Sequence, residues 1–189
     1  HRVDRRQRQM CIRDRMYAAI ANGGTIWQMM VAKAIVKTDG TVVKTFTPQK
    51  LGTVKTAPSV LSFLRGSLRE VVVSGTGAGV FAGFPVEISG KTGTGQVFGR
   101  NPNGSLKDDT SWFASYAPSK NPRYAVVMMV GQGGFGASTS GVGVKQIYQT
   151  LFGVVGNKVV PGAALFPEGK PPTKLPKISP ATKPKEASK

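Results

Sequence analysis

The stretch Ser89-Gly90-Lys91-Thr92-Gly93-Thr94-Gly95-Gln96 places one lysine, two threonine hydroxyls and three glycines in eight positions. A loop of that composition cradles a nucleotide phosphate when it reads G-x-x-x-x-G-K-[ST] and opens a helix, because successive amides then wrap the anion at a positive dipole end. Here the residue five before Gly90 is Pro85, and Gly83 lies seven before it. Lys91 is followed by Thr-Gly-Thr-Gly-Gln and further loop signals, not by a helical pattern. The nucleotide reading therefore fails on spacing and on context.

A strand carrying the same residues makes better chemical sense. Thr92 and Thr94 are two apart, so their hydroxyls share one face of a strand and can grip a carboxylate together. Lys91 supplies a cation that holds an anion or acidifies a neighbouring hydroxyl. Gly93 has no side chain, so an extended peptide can lie along the strand and pair with its backbone. The combination suits a peptide ending in a free carboxylate.

Composition narrows the chemistry further. The 189 residues suit one domain with a sizeable core. The net charge of +17 suggests nucleic acid until its placement is considered. Residues 1–15 hold +4 and residues 170–189 hold +5, leaving +8 for the 154 residues between. That body shows no basic–aromatic interleaving for stacked bases, which argues against a nucleic-acid partner. No run reaches the ~18 apolar residues of a membrane-spanning helix. Cys11 is the only cysteine and His1 the only histidine, so an intrachain disulfide, classical zinc clusters and serine–histidine catalysis are excluded. No cofactor or metal is expected. Lysine, hydroxyl and carboxylate chemistry remain.

Punctuation along the chain predicts an α+β fold. Residues 1–15 show no periodicity in common with the rest of the chain, and Gln9–Arg15 resembles translated sequencing-adapter read-through. They are read as a non-native or disordered basic head. Tyr17–Ala21 reads as a last helical turn closed by Asn22-Gly23-Gly24. Val31–Thr38 and Thr41–Phe46 flank Asp39-Gly40, a hairpin signal. Pro58 opens a helix with Val60, Leu61, Leu64, Leu68, Val71 and Val72 on one face and Arg65, Arg69 and Glu70 in solvent. Val86–Thr94, Thr110–Tyr116 and Tyr124–Val130 read as strands, the last apolar enough to be buried on both faces. A helix from about Gly141 to Phe152 offers Val144, Ile147, Tyr148 and Leu151 inward, with Lys145 and Gln149 outward. Beyond Gly153 periodicity ends, and residues 157–189 read as a disordered Lys/Pro-rich tail. Asp108-Asp109 reads as a solvated turn, Met128-Met129 as core filling, and Glu70 and Glu87 as surface charges. One of Trp112 and Phe113 is expected in the core, the other at a cleft floor.

With these elements in order, Lys91–Thr94 on a strand, Thr110–Pro118 (T-S-W-F-A-S-Y-A-P) and Tyr124–Val130 (Y-A-V-V-M-M-V) resemble the transpeptidase domain of penicillin-binding proteins. Y-A-A-I-A-N-G-G-T at 17–25 and S-G-T-G at 74–77 fit the same family, most like class B enzymes of the elongation type. The resemblance runs from about Tyr17 to Gly153. It departs at Trp27–Met30, where relatives often have a proline; this bears on loop shape.

The resemblance implies a partial β-lactamase/transpeptidase-like fold over residues 16–156: three of five core strands of an antiparallel sheet flanked by helices, with the C-terminal helix. It implies an open edge on Tyr124–Val130 and hence a marginal, aggregation-prone chain. It further implies three motifs at one cleft, S-x-x-K, S-x-N and K-T-G. No lysine here has a serine three residues before it. Ser119-Lys120-Asn121 matches S-x-N by letters but falls in a turn after K-T-G and is read as a decoy. By resemblance Lys91 is catalytic, polarising the S-x-N serine. Thr92, Gly93 and Thr94 bind the carboxylate of a D-Ala-D-Ala stem peptide or a β-lactam, and the Thr94 amide is an oxyanion donor. The parent would act at the extracytoplasmic face of the plasma membrane through an upstream anchor, with cell-elongation partner proteins. Two alternatives stand: a serine β-lactamase or D,D-carboxypeptidase of the same fold, and a non-catalytic peptide-carboxylate binding module.

Overall fold

The computed structural model describes residues 2–165, with side chains described from Cys11 onward except at Pro161. The Lys-rich run from Lys170 lies outside the described residues. The central element is a three-stranded antiparallel sheet, β5 (Ser89–Gly95), β6 (Thr110–Ala117) and β7 (Tyr124–Val130), in the order β5-β6-β7. Two small antiparallel ribbons precede it. In one, β1 (Thr25–Trp27) pairs with β4 (Lys50–Thr53); in the other, β2 (Ala34–Val36) pairs with β3 (Val42–Thr45). Helices α1 (Arg2–Ala21), α2 (Pro58–Val73), α3 (Ala78–Phe81) and α4 (Val142–Phe152) surround the sheet. The fold is α+β.

Alternation along β6 sorts the core into two faces. Phe113 and Ala117 face a cluster with Val72, Phe81, Ile88, Val144, Tyr148 and Phe152. Ala114 and Tyr116 face a second cluster with Tyr17, Ile20, Ala21 and Leu68. The first layer is α4 with the ends of α2 and α3, and the second is α1. Phe113 packs 5.5 Å from the Phe81 ring, and Tyr148 lies 5.9 Å from Phe152. Below Phe113, Ser115 Oγ donates to the Val126 carbonyl at 3.0 Å and lies 3.0 Å from Tyr148 Oη, so a buried polar knot joins β6, β7 and α4.

Several expectations are corrected. The head is helical: α1 runs unbroken from Arg2 to Ala21. Arg, Gln, Met and Ile are adequate helix formers, no Gly or Pro interrupts the run, and Tyr17–Ala21 is anchored on the sheet, so the helix propagates backwards from that anchor. Its end is as expected, with Gly23 and Gly24 at positive φ of 84° and 107°. Strand β7 is half-buried, not covered on both faces, because it is the terminal strand and pairs with β6 alone among the described residues.

Arg65 and Arg69 turn towards the sheet, not to solvent. Arg69 Nη1 donates to the Ile88 carbonyl at 2.9 Å, and Arg65 Nη2 to the Ser119 and Lys120 carbonyls at 3.3 Å each. Conversely Val60 and Leu64 are exposed, as is Ile147, whose place on α4 is taken by Phe152. Lys145 Nζ reaches the Val80 carbonyl at 2.7 Å, so it too points inward along α3. Past Gly153, β8 (Val154–Val155) pairs with β9 (Lys158–Val159), and the Leu165 amide bonds the Thr150 carbonyl at 3.0 Å, so ordered structure continues beyond residue 156.

Candidate functional site

Strand β5 carries the Lys-Thr-Gly-Thr stretch on an outer edge of the sheet. It pairs with β6 in the register Lys91↔Ala114, Thr92↔Phe113, Gly93↔Trp112 and Thr94↔Ser111. Residues directly opposite share a face. Thr92 and Thr94 therefore project together on the Phe113 side, and Lys91 and Gly93 on the other. The second edge of β5 has no strand partner among the described residues, which leaves a row of backbone donors and acceptors beside the two hydroxyls.

The hydroxyls are already positioned. Thr92 Oγ1 lies 2.7 Å from Thr76 Oγ1, at the end of α2. The exposed Lys91 curls back along the strand: Nζ donates to the Thr92 carbonyl at 2.9 Å and to Thr92 Oγ1 at 3.3 Å. The Gly136 amide donates to Thr94 Oγ1 at 3.4 Å. A lysine ammonium and two aligned hydroxyls on an open strand edge make an electropositive, donor-rich strip suited to a carboxylate.

Glycines set the close approaches around this strip. A Cβ on Gly93 would stand 3.2 Å from Trp112 Cβ, so the missing side chain leaves room for Trp112. A Cβ on Gly136 would stand 2.5 Å from the Gly93 and Trp112 carbonyl oxygens, so that loop is pressed onto the sheet. The loop is pinned from below: Asp109 Oδ1 accepts from the Val97 amide at 3.2 Å, and its carbonyl accepts from the Gly134 amide at 2.9 Å. Asp109 is thus a tether, not a freely solvated turn residue.

Phe113 is fully buried, as one of the pair was expected to be. Trp112 lies on the opposite side of the sheet from Thr92 and Thr94, under the Arg13 guanidinium at 3.7 Å from its ring, and so is not a floor to their cleft. Ser119 sits in the β6–β7 turn, where its hydroxyl bonds Ser89 at the far end of β5 from Thr94. Lys120, in the same turn, lies 4.0 Å from Glu87.

Sequence reading gave no role to Thr76 or Gly136, and took Asp109 only for a solvated turn residue. The signal for Thr76 was its glycine-flanked place in Ser74-Gly75-Thr76-Gly77, at the end of a helix. A Cβ on Gly75 would come within 2.9 Å of Val71 Cα, so the chain needs glycine there to fold back and present Thr76 to β5.

Comparison with known proteins bears on the family and the fold. The family model of the penicillin binding protein transpeptidase domain matches residues 14–151. Penicillin-binding protein PbpB of Mycolicibacterium smegmatis is 33% identical over 126 residues, covering 61% of this chain and 18% of that protein. Peptidoglycan D,D-transpeptidase MrdA of Haemophilus influenzae is 36% identical over 75 residues, covering 35% of this chain and 12% of that protein. The chain thus spans under a fifth of the length of either relative. Among solved structures, Pseudomonas aeruginosa PBP2 in complex with WCK 5153 superposes with a TM-score of 0.62 at 28% identity, over 79% of this chain and 32% of that one. The chain belongs to the penicillin-binding protein transpeptidase domain family, class B.

Proposed function

We propose that this chain supplies the substrate-carboxylate strand of a serine-type peptidoglycan D,D-transpeptidase. The observation that carries the reading is the alignment of Thr92 and Thr94 on one face of an open strand edge, with Lys91 Nζ 3.3 Å from Thr92 Oγ1. Thr92 and Thr94 hold the terminal carboxylate of a D-Ala-D-Ala stem peptide, or of a β-lactam in its place. Gly93 lets the peptide backbone run along β5. Lys91 contributes positive potential, and the Thr94 amide acts as an oxyanion donor when an acyl carbonyl is attacked. The S-x-x-K nucleophile and the S-x-N serine come from residues other than these 189, in a membrane-anchored parent working outside the plasma membrane with elongation partners. Alone, the chain binds and does not acylate.

A second reading is favoured by one feature, the lack of any Ser-x-x-Lys in the sequence: a binding module in which Lys91–Thr94 grips peptide carboxylates without chemistry. One pair of measurements tests both. The full chain is titrated by NMR with N-acetyl-D-Ala-D-Ala and with its C-terminal amide, then incubated with fluorescent penicillin. Shifts at Thr92–Thr94 with the acid alone, and no covalent label, are expected. Equal response to acid and amide would sink the carboxylate reading, and a covalent adduct would show that the nucleophile is here after all.

A further inference from the structure

The two small ribbons enclose a cleft of about 280 Å³ whose lining belongs to neither core cluster. Met29, Met30 and Phe46 form its apolar part, and Gln28, Gln49 and Lys44 are among its polar residues. On one side the Gln28 amide donates to the Gln49 carbonyl at 2.8 Å, continuing the β1–β4 pairing. On the other, Lys44 Nζ rests 5.1 Å from the Phe46 ring. Trp27 immediately precedes this lining in the chain, and Lys50, its partner across β1 and β4, immediately follows it. Opposed residues share a face, so the indole and the ammonium stand together at the rim. Trp27, Met29, Met30 and the adjoining Leu51 are each 43–55% exposed. Single exposed apolar residues need no explanation, but four gathered at one cleft mark a contact site.

Charge and lining chemistry select the occupant. Lys44 is the one charged residue in the lining. Asp39 is the only acid in residues 25–56, and its carboxylate is engaged by the Thr41 amide at 2.8 Å. The cleft thus complements an anion. Against acyl chains the Gln28 and Gln49 carboxamides would lose water without replacement, whereas a polypeptide backbone offers them donors and acceptors. A second copy of this chain, at +17, would bring like charge to like. Trp and Met are enriched at protein interfaces, and Trp is a frequent hot-spot anchor. Lysines suit the rim of such an interface, where charge steers and orients the partner.

We propose that the cleft between the ribbons receives an apolar side chain from an acidic segment of a partner protein. Trp27 packs against that segment, and Lys44 and Lys50 meet its carboxylates. This site is independent of the carboxylate strand. The probe is the hexapeptide Asp-Glu-Leu-Phe-Asp-Glu, acetylated and amidated so that Lys91–Thr94 has no terminal carboxylate to grip. Titrated into the full chain, whose basic ends 1–15 and 170–189 stay constant, it should shift the Trp27 indole NH resonance. Trp27→Ala and, separately, K44E/K50E should each weaken binding about tenfold or more, the loss expected at an interface hot spot. Trp27→Phe and K44R/K50R, which keep an aromatic ring and the charge, should bind like the parent. Equal affinity for a control peptide with serine in place of Leu and Phe would overturn the proposal, since charge alone would then draw the peptide to the basic ends. So would a Trp27→Ala chain that binds like the parent, or a Trp27 resonance that the peptide does not move. A Trp27 shift with phosphatidylglycerol vesicles instead of the peptide would assign the cleft to a bilayer. Self-association that is lost in Trp27→Ala, without peptide binding, would assign it to a second copy.

Discussion

Thr76 Oγ1 and Thr92 Oγ1 stand 2.7 Å apart, joining the end of α2 to the outer strand of the sheet. The bond holds the Thr92 hydroxyl on the face it shares with Thr94, while Lys91 Nζ donates to the same oxygen from the other side. Two residues from separated stretches, Thr76 and Lys91, thus act on one side chain. Thr92→Val should weaken binding of a D-Ala-D-Ala peptide about tenfold or more, because a hydrogen bond to a charged group is worth ~1.5–3 kcal/mol. Thr76→Val should cost less, about fivefold, since Lys91 still restrains Thr92, and Thr76→Ser should restore affinity. Calorimetric titration of the three variants decides the order. A Thr76→Val chain as weak as Thr92→Val would mean that Thr76 touches the ligand itself.

The Gly136 loop is packed against backbone, not against side chains that could move aside. Because a Cβ there would meet two carbonyl oxygens at 2.5 Å, Gly136→Ala must lift the loop off β5 and β6. Overpacking of this kind costs ~1–3 kcal/mol. Thermal unfolding should show a lowered midpoint, and the Thr94 resonances should shift because the Gly136 amide moves away from Thr94 Oγ1. An unchanged midpoint would show that the loop has freedom not apparent in its packing.

Ser115 and Tyr148 offer a test of asymmetry. Ser115 Oγ donates to the Val126 carbonyl, so Tyr148 Oη is the donor between the two hydroxyls. Burial pushes the Tyr148 phenol far above its ordinary value of 10.0, so it stays protonated through the physiological range. Tyr148→Phe removes a donor and leaves Ser115 its other bond, at a cost of ~1 kcal/mol. Ser115→Ala takes a hydroxyl partner from the buried phenol and a donor from the half-buried Val126 carbonyl, for ~1–3 kcal/mol. Urea denaturation should rank Ser115→Ala as the more damaging, and the reverse ranking would refute the donor assignment.

Asp14 sits half-buried on α1, and desolvation raises its carboxyl above the ordinary 3.8. The folded chain therefore holds this proton more tightly than the unfolded chain does. Its contribution is fully present below 3.8 and is lost as pH rises through the raised folded value. Asp14→Asn mimics the protonated form without titrating. It should be more stable than the parent at neutral pH, with the difference shrinking in acid. Denaturation at several pH values checks this, and a gap that stays constant with pH would remove the desolvation account.

How much was legible depends on the range of each interaction. Local signals placed elements well: Asn22-Gly23-Gly24 stops α1, Pro58 starts α2, and Tyr124–Val130 spans β7 to the residue. The face shared by Thr92 and Thr94 was likewise legible from alternation alone. Amphipathic spacing misjudged Arg65, Arg69 and Lys145, since long stems let a charged head reach a distant carbonyl while its Cβ lies on the polar face. The ribbon of β1 and β4 was missed because its strands are short and separated by the whole β2–β3 hairpin.

By itself, then, the sequence determined the α+β class, the three sheet strands and the common face of Thr92 and Thr94, because alternation, turn residues and side-chain type are properties of a few neighbouring positions. Only tertiary structure decided that Thr76 fixes Thr92, that Gly136 reaches Thr94, and that Trp112 turns from the site to meet Arg13. Those contacts join segments 16, 42 and 99 residues apart. They depend on how helices and loops pack over the sheet, which no local pattern encodes.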